Sequence, residues 1–95
     1  MDVIFSAEAR SEVRDAARFY EDEVEGLGRA FLQKLREGVA EVKRNPFTSR
    51  IIRGDYRRHL LSRFPYGIIF RIHEGVIFVA AVMHLKRKSG YWEEL

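Results

Sequence analysis

The sequence predicts an α+β fold: a short N-terminal strand and an antiparallel helical hairpin packed on an antiparallel β-sheet. Three observations predict it. The first half carries two apolar stripes at three- and four-residue spacing, Asn45-Pro46 ends the second stripe, and the remainder switches to the alternating and continuous apolar runs of strands. With 95 residues, the chain is read as one domain over 1–95, large enough for a single modest core.

Val3 to Phe5 opens the chain as a strand too brief to stand alone, so it is expected inside a sheet. Ser6 follows as a helix N-cap whose hydroxyl can accept a free backbone N–H, with Glu8 in the first turn to favour the positive end of the helix dipole. Val13, Ala16, Ala17, Tyr20 and Val24 then form one apolar stripe on a helix from Ala7 to Val24. The charges around it, Glu8, Glu12 and Asp15 against Arg10, Arg14 and Arg18, are read as solvated helical pairs. Gly26 and Gly28 punctuate the pattern. Leu27, Phe31, Leu35, Val39 and Val42 mark a second helix that stops at Pro46, and so short a connection makes the two helices an antiparallel hairpin.

Phe47 to Asp55 is expected to be irregular, followed by strands over Tyr56–Phe64, Tyr66–His73 and Val76–His84. Glu74-Gly75 is the tight turn between the last two. Pro65 breaks the strand before it, because proline cannot donate to a ladder. In Tyr66–His73, Ile68, Phe70 and Ile72 are assigned to the core face, with Ile69, Arg71 and His73 opposite. In the last strand, both Val76, Phe78, Ala80, Val82, His84 and Ile77, Val79, Ala81, Met83 are almost wholly apolar, so its phase is left open. A strand apolar on both sides needs a cover on its outer face, either the C-terminus of the chain or a partner.

Charge is regional. Residues 1–49 hold eight basic and ten acidic side chains, a net of −2, whereas Arg50 to Lys88 holds nine basic against two acidic, a net of +7. Such a sector attracts polyanions or an acidic protein. Without cysteine there are no disulfides or thiolate zinc sites, and His59, His73 and His84 sit on three strands with no carboxylate motif, so neither metal nor cofactor is expected. The N-terminus lacks a basic n-region and a long apolar run, which predicts no signal peptide, no spanning segment and a cytoplasmic chain.

The order of elements, together with Arg57-Arg58, Phe64-Pro65-Tyr66, the apolar Val79–Val82 and the ending from His84 to Trp92, resembles the RelE/ParE family of type II toxin–antitoxin toxins over essentially the whole chain. The resemblance implies a cognate antitoxin as partner, laid as a helix or strand over the apolar outer face. It implies one of two targets: DNA gyrase on the ParE side, or ribosome-bound mRNA on the RelE side. The nuclease alternative needs a proton acceptor, a proton donor and cations around the phosphate. Arg71, His84, Arg87 and Tyr91 are its candidate catalytic residues. Arg57, Arg58, Arg63, Tyr66, Lys86 and Trp92 are candidates for binding target or substrate. Plain readings stand beside these: His84 hydrogen-bonded to backbone, Arg87 in a solvated basic turn, Tyr91 and Trp92 packed across the sheet. The scarcity of lysines where RelE-type members place catalytic ones, and Trp92 beside Tyr91, incline the reading to gyrase. An inactive relative that only binds antitoxin is the third possibility.

Overall fold

In a computed structural model of the chain, residues 1–87 and 90–94 are described. The elements run β1 (Asp2–Phe5), α1 (Ala7–Glu23), α2 (Leu27–Arg44), β2 (Arg50–Arg53), β3 (Tyr56–Leu60), β4 (Tyr66–His73) and β5 (Val76–His84), with single 3₁₀ turns at Pro46–Thr48 and Tyr91–Glu94. One five-stranded sheet has the order β1-β5-β4-β3-β2. The strands from β2 to β5 pair antiparallel, as expected, and β1 adds a parallel strand beside β5, so the sheet is mixed. The two helices carry the chain from β1 to the opposite edge, where β2 runs antiparallel to β1; three antiparallel steps through β3 and β4 then bring β5 beside β1 in the same direction.

Several boundaries differ from the sequence reading. Arg50–Arg53, within the stretch expected to be irregular, is an edge strand: Ile51 and Ile52 are β-branched, and Gly54, at φ 56°, supplies the turn into β3. Next, β3 ends at Leu60, not Phe64. Arg63 takes a left-handed φ of 72°, and the Leu61 N–H donates to the Tyr66 carbonyl at 2.9 Å, closing the hairpin before Pro65 is reached. Val24 is the extended C-cap of α1 and 57% exposed, so the apolar stripe ends at Tyr20.

The open question of phase in β5 has an answer that neither alternating set anticipates. Ile69 pairs with Ala81 but Phe70 pairs with Val79, so Ala80 is an extra residue in β5. A bulge of this kind inverts the alternation beyond it. Ile77 and Val79 before the bulge, and Val82 after it, join the core against the helices, whereas Ala81 and Met83 pack on the outer face. The helix-side core holds Phe31, Ile68, Phe70 and Ile77 at 0% exposure. Each such side chain contributes about 1.5–3 kcal/mol. Tyr20, Phe31, Phe64 and Tyr66 close one end as an aromatic cluster with centroids 4.9–6.1 Å apart. On the outer face, Ile69, Ala81 and Met83 are covered by Trp92 and Tyr91, so the C-terminus of the chain itself is the cover.

Candidate functional site

The site is built where α1 passes the end of β1. Ser6 caps α1 by accepting the Ala9 N–H at 3.0 Å, and the same hydroxyl donates to the Ala80 carbonyl at 3.0 Å. Its backbone N–H reaches the Val79 carbonyl at 3.0 Å. Two turns later Glu12 makes a further contact with β5, its Oε1 accepting the Val82 N–H at 3.0 Å. An edge that β1 is too short to cover is thereby satisfied by α1.

The other oxygen of Glu12 binds the C-terminal segment. Arg87 donates to Oε2 at 3.1 Å, and the Tyr91 hydroxyl donates to the same atom. The Arg87 guanidinium lies over the Tyr91 ring, 3.6 Å from its centroid. Glu12, with a side chain 15% exposed, is therefore an anchor between α1, β5 and the C-terminus, not a solvated helical charge. Among the described residues, none of the expected pairs between Glu8, Glu12, Asp15 and Arg10, Arg14, Arg18 forms; Arg10 instead donates to the Phe5 carbonyl at 2.8 Å. Helical spacing carried a signal for Glu12, since Ala9, Glu12 and Ala16 fall on one face and both alanines are buried.

Beside this anchor lies a cleft of about 310 Å³ whose walls include Glu12, Phe19, Tyr66, His84 and Arg87. His84 Nδ1 accepts the Lys86 N–H at 3.0 Å, and its ring meets the Tyr66 ring edge-on at 5.2 Å. With Nδ1 accepting, a neutral ring carries its proton on Nε2. Burial pushes the Tyr91 hydroxyl well above the usual phenol range; the hydrogen bond to Glu12 and that carboxylate's charge add to the shift, and Arg87 partly offsets it. Tyr66 is also raised, first by burial and then by Tyr20 and Glu12. Near neutrality these phenols hold their protons, and that of Tyr91 is directed at Glu12.

A family model described as the ParE toxin of type II toxin–antitoxin system, parDE, matches residues 3–88. The chain belongs to the ParE toxin family. Among curated proteins no sequence match was found. A solved structure titled a chromosomal ParDE TA system from P. aeruginosa superposes with a TM-score of 0.78 over 90% of this chain and 97% of that chain, at 16% identity, and thus shares its fold.

In this ParE-family chain the remaining candidates are dispersed. Arg71 is on the opposite sheet face from His84 and Arg87, in a cleft with Tyr56 and Trp92, 3.9 Å from Asp55. Arg57 is held by the Phe47 and Ser49 carbonyls at 3.1 and 2.8 Å. Arg63 folds over the Phe64 ring at 5.3 Å. Lys86 is exposed in the turn after β5, Arg58 lies on the outer face beside Gly67, and Trp92, 2% exposed, is packed into the outer core. Among the described residues no helix is long and apolar enough to cross a membrane.

Proposed function

We propose that this ParE-family toxin arrests growth by binding DNA gyrase, without chemistry of its own, and that a cognate antitoxin neutralises it. The observation that carries this reading is the commitment of the would-be catalytic groups. Tyr91 and Arg87 both bind Glu12, the His84 Nδ1 lone pair is taken by a backbone N–H, and Arg71 opens on the other sheet face. Cleavage of RNA needs an acceptor and a donor of protons on either side of one phosphate. These four residues do not share a cleft in which a phosphate would lie between them.

The test is induction of the chain in bacteria with plasmid supercoiling and mRNA ends read from the same cultures, followed by a supercoiling assay with purified gyrase. Loss of supercoiling or trapped DNA breaks with intact transcripts is expected, and Tyr91→Phe, once shown to be folded by its thermal melt, should retain the effect. Cut transcripts that vanish in Tyr91→Phe and Arg87→Ala would replace this reading with the mRNA interferase. No growth defect would leave an inactive relative that binds antitoxin alone.

A further inference from the structure

The outer sheet face carries a second cleft, of about 400 Å³, lined by Arg50, Ile51, Ile52, Arg53, Arg58 and Trp92. Its charge placement is unusual. Arg50 on β2 and Arg58 on β3 are direct cross-strand partners, so two guanidinium groups leave the sheet side by side. Like charges directly opposite destabilise a sheet pair. Among the described residues neither has a carboxylate partner, whereas the third cation, Arg53, pairs with Glu93 at 3.2 Å beneath the backbone of Gly90. Gly67 keeps the neighbouring position open: a Cβ there would come within 3.0–3.1 Å of the stem of Arg58. The wall includes Trp92, whose buried indole N–H has no hydrogen-bond partner among the described residues. Arg71, half-buried and 3.9 Å from Asp55, lies further along the same face, on β4.

We propose that this face binds the phosphodiester backbone of a nucleic-acid strand, with Arg50 and Arg58 on one phosphate and the strand continuing across β3 and β4. A planar guanidinium matches phosphate oxygens bidentately, and two of them sharing one phosphate turn the repulsion across the strand pair into attraction. A row of cations on adjacent strands suits a polyanion with repeated charges better than a lone carboxylate, and an open cleft that also includes Ile52 and Trp92 accommodates a base beside the phosphate. This inference stands apart from the gyrase reading, since it concerns a contact with nucleic acid itself.

Trp92 is the single tryptophan of the chain and sits in the wall of the cleft, so its fluorescence reports occupancy directly. The purified chain is titrated with a labelled single-stranded oligodeoxynucleotide across a salt series, reading anisotropy and Trp92 emission. Arg50→Gln/Arg58→Gln is expected to weaken binding about tenfold or more at low salt and to reduce the slope of log affinity against log salt by roughly 0.7, the value for one phosphate of a single strand. Arg50→Lys/Arg58→Lys, which keeps the charge, should recover most of the slope. The control Arg14→Gln/Arg18→Gln removes the same charge from exposed positions on α1 and should bind as wild type. Circular dichroism confirms that each variant is folded, and the glutamine pair should melt no lower than wild type because a repulsion has gone. An equal loss in the control, or no saturable binding at low salt, overturns the proposal. Equal competition by inorganic phosphate assigns the cleft to free phosphate, and equal competition by polyglutamate assigns it to acidic peptide; either result also overturns it. Gyrase inhibition measured on the same glutamine variant reads the other proposal separately.

Discussion

Glu12 and Tyr91, 79 residues apart in the chain, are joined by a hydrogen bond that ties the first helix to the C-terminal segment. The same carboxylate holds the Val82 N–H and Arg87. Glu12→Ala leaves a strand N–H without its acceptor and releases two side chains, and should lower unfolding free energy by about 2–3 kcal/mol. Glu12→Gln keeps an oxygen for Val82 and should lose about 1 kcal/mol. Urea melts of the two variants check the order; equal losses would mean that the charge, not the strand contact, dominates.

The raised pKa of Tyr91 gives that contact a pH signature. In the unfolded chain the phenol loses its proton near its ordinary value of 10.0, before the folded chain does. The contribution of the folded-state hydrogen bond is therefore whole below that pH and is lost as the pH rises through it toward the folded value. From about pH 10 upward wild type should lose stability more steeply than Tyr91→Phe, and the gap between them should narrow. Chemical melts across that range would show parallel curves if Tyr91 did not contribute.

Periodicity made the architecture legible. The stripes of α1 and α2, the Pro46 stop and the Glu74-Gly75 turn are local signals, and apart from Val24 at the end of the first stripe each lies where residue chemistry placed it. The phase of β5 was not legible, because both alternating sets are apolar and the decision rests on a one-residue bulge at Ala80 that only pairing with β4 reveals. At the candidate site, sequence singled out Arg87 and Tyr91 but not the carboxylate between them. Glu12 looked like one more helical charge, since its partners lie some 70 residues or more away in the chain. Arg50 and Arg53 were missed for a related reason: a four-residue edge strand acquires its meaning from β3 beside it.

Trp92 couples packing to the basic cleft. It is 2% exposed, meets Tyr56 edge-on at 6.1 Å and covers Ile69, Ala81 and Met83. Trp92→Ala should lower stability by about 3–5 kcal/mol, the range for emptying a large aromatic site. Trp92→Phe loses volume but also removes an indole N–H that has no partner among the described residues, so the two effects oppose. It is expected to lose less than half as much, by thermal or urea melts; a loss equal to that of alanine would show that the indole N–H does have an acceptor.

The hairpin depends on close approach at Gly28. A Cβ there would stand 2.5 Å from the Ala17 carbonyl oxygen, a backbone atom that cannot swing aside. At Gly38 the nearest atoms, 2.9 and 3.2 Å away, are the methyl ends of Leu61 and Ile68, which can shift. Gly28→Ala should therefore be destabilised by about 1–3 kcal/mol, and Gly38→Ala by less, the intrinsic helix preference for alanine offsetting part of its strain. Denaturant midpoints of the two variants decide; the reverse order would place the tighter constraint between α2 and the sheet.

Glu21 supplies what the start of α2 lacks. Its N-cap, Gly26, has no side chain to accept the free N–H groups, and the first turn of α2 contains no acidic residue. From α1, Glu21 accepts the N–H of Gly26 at 2.9 Å and that of Gly28 at 3.0 Å, one on each oxygen. Those two backbone bonds, aided by Arg29, hold its carboxyl below the usual glutamate range against a smaller opposing effect of burial. The unfolded chain thus binds this proton first on acidification. The stabilising contribution is present above the ordinary value of 4.5 and is lost as the pH falls through the folded-state value. Glu21→Gln should be less stable than wild type at neutral pH and lose less on acidification to about pH 3, so that the two melting curves converge. A constant offset at all pH values would mean that the side chain acts through its shape and not through its charge on the α2 terminus.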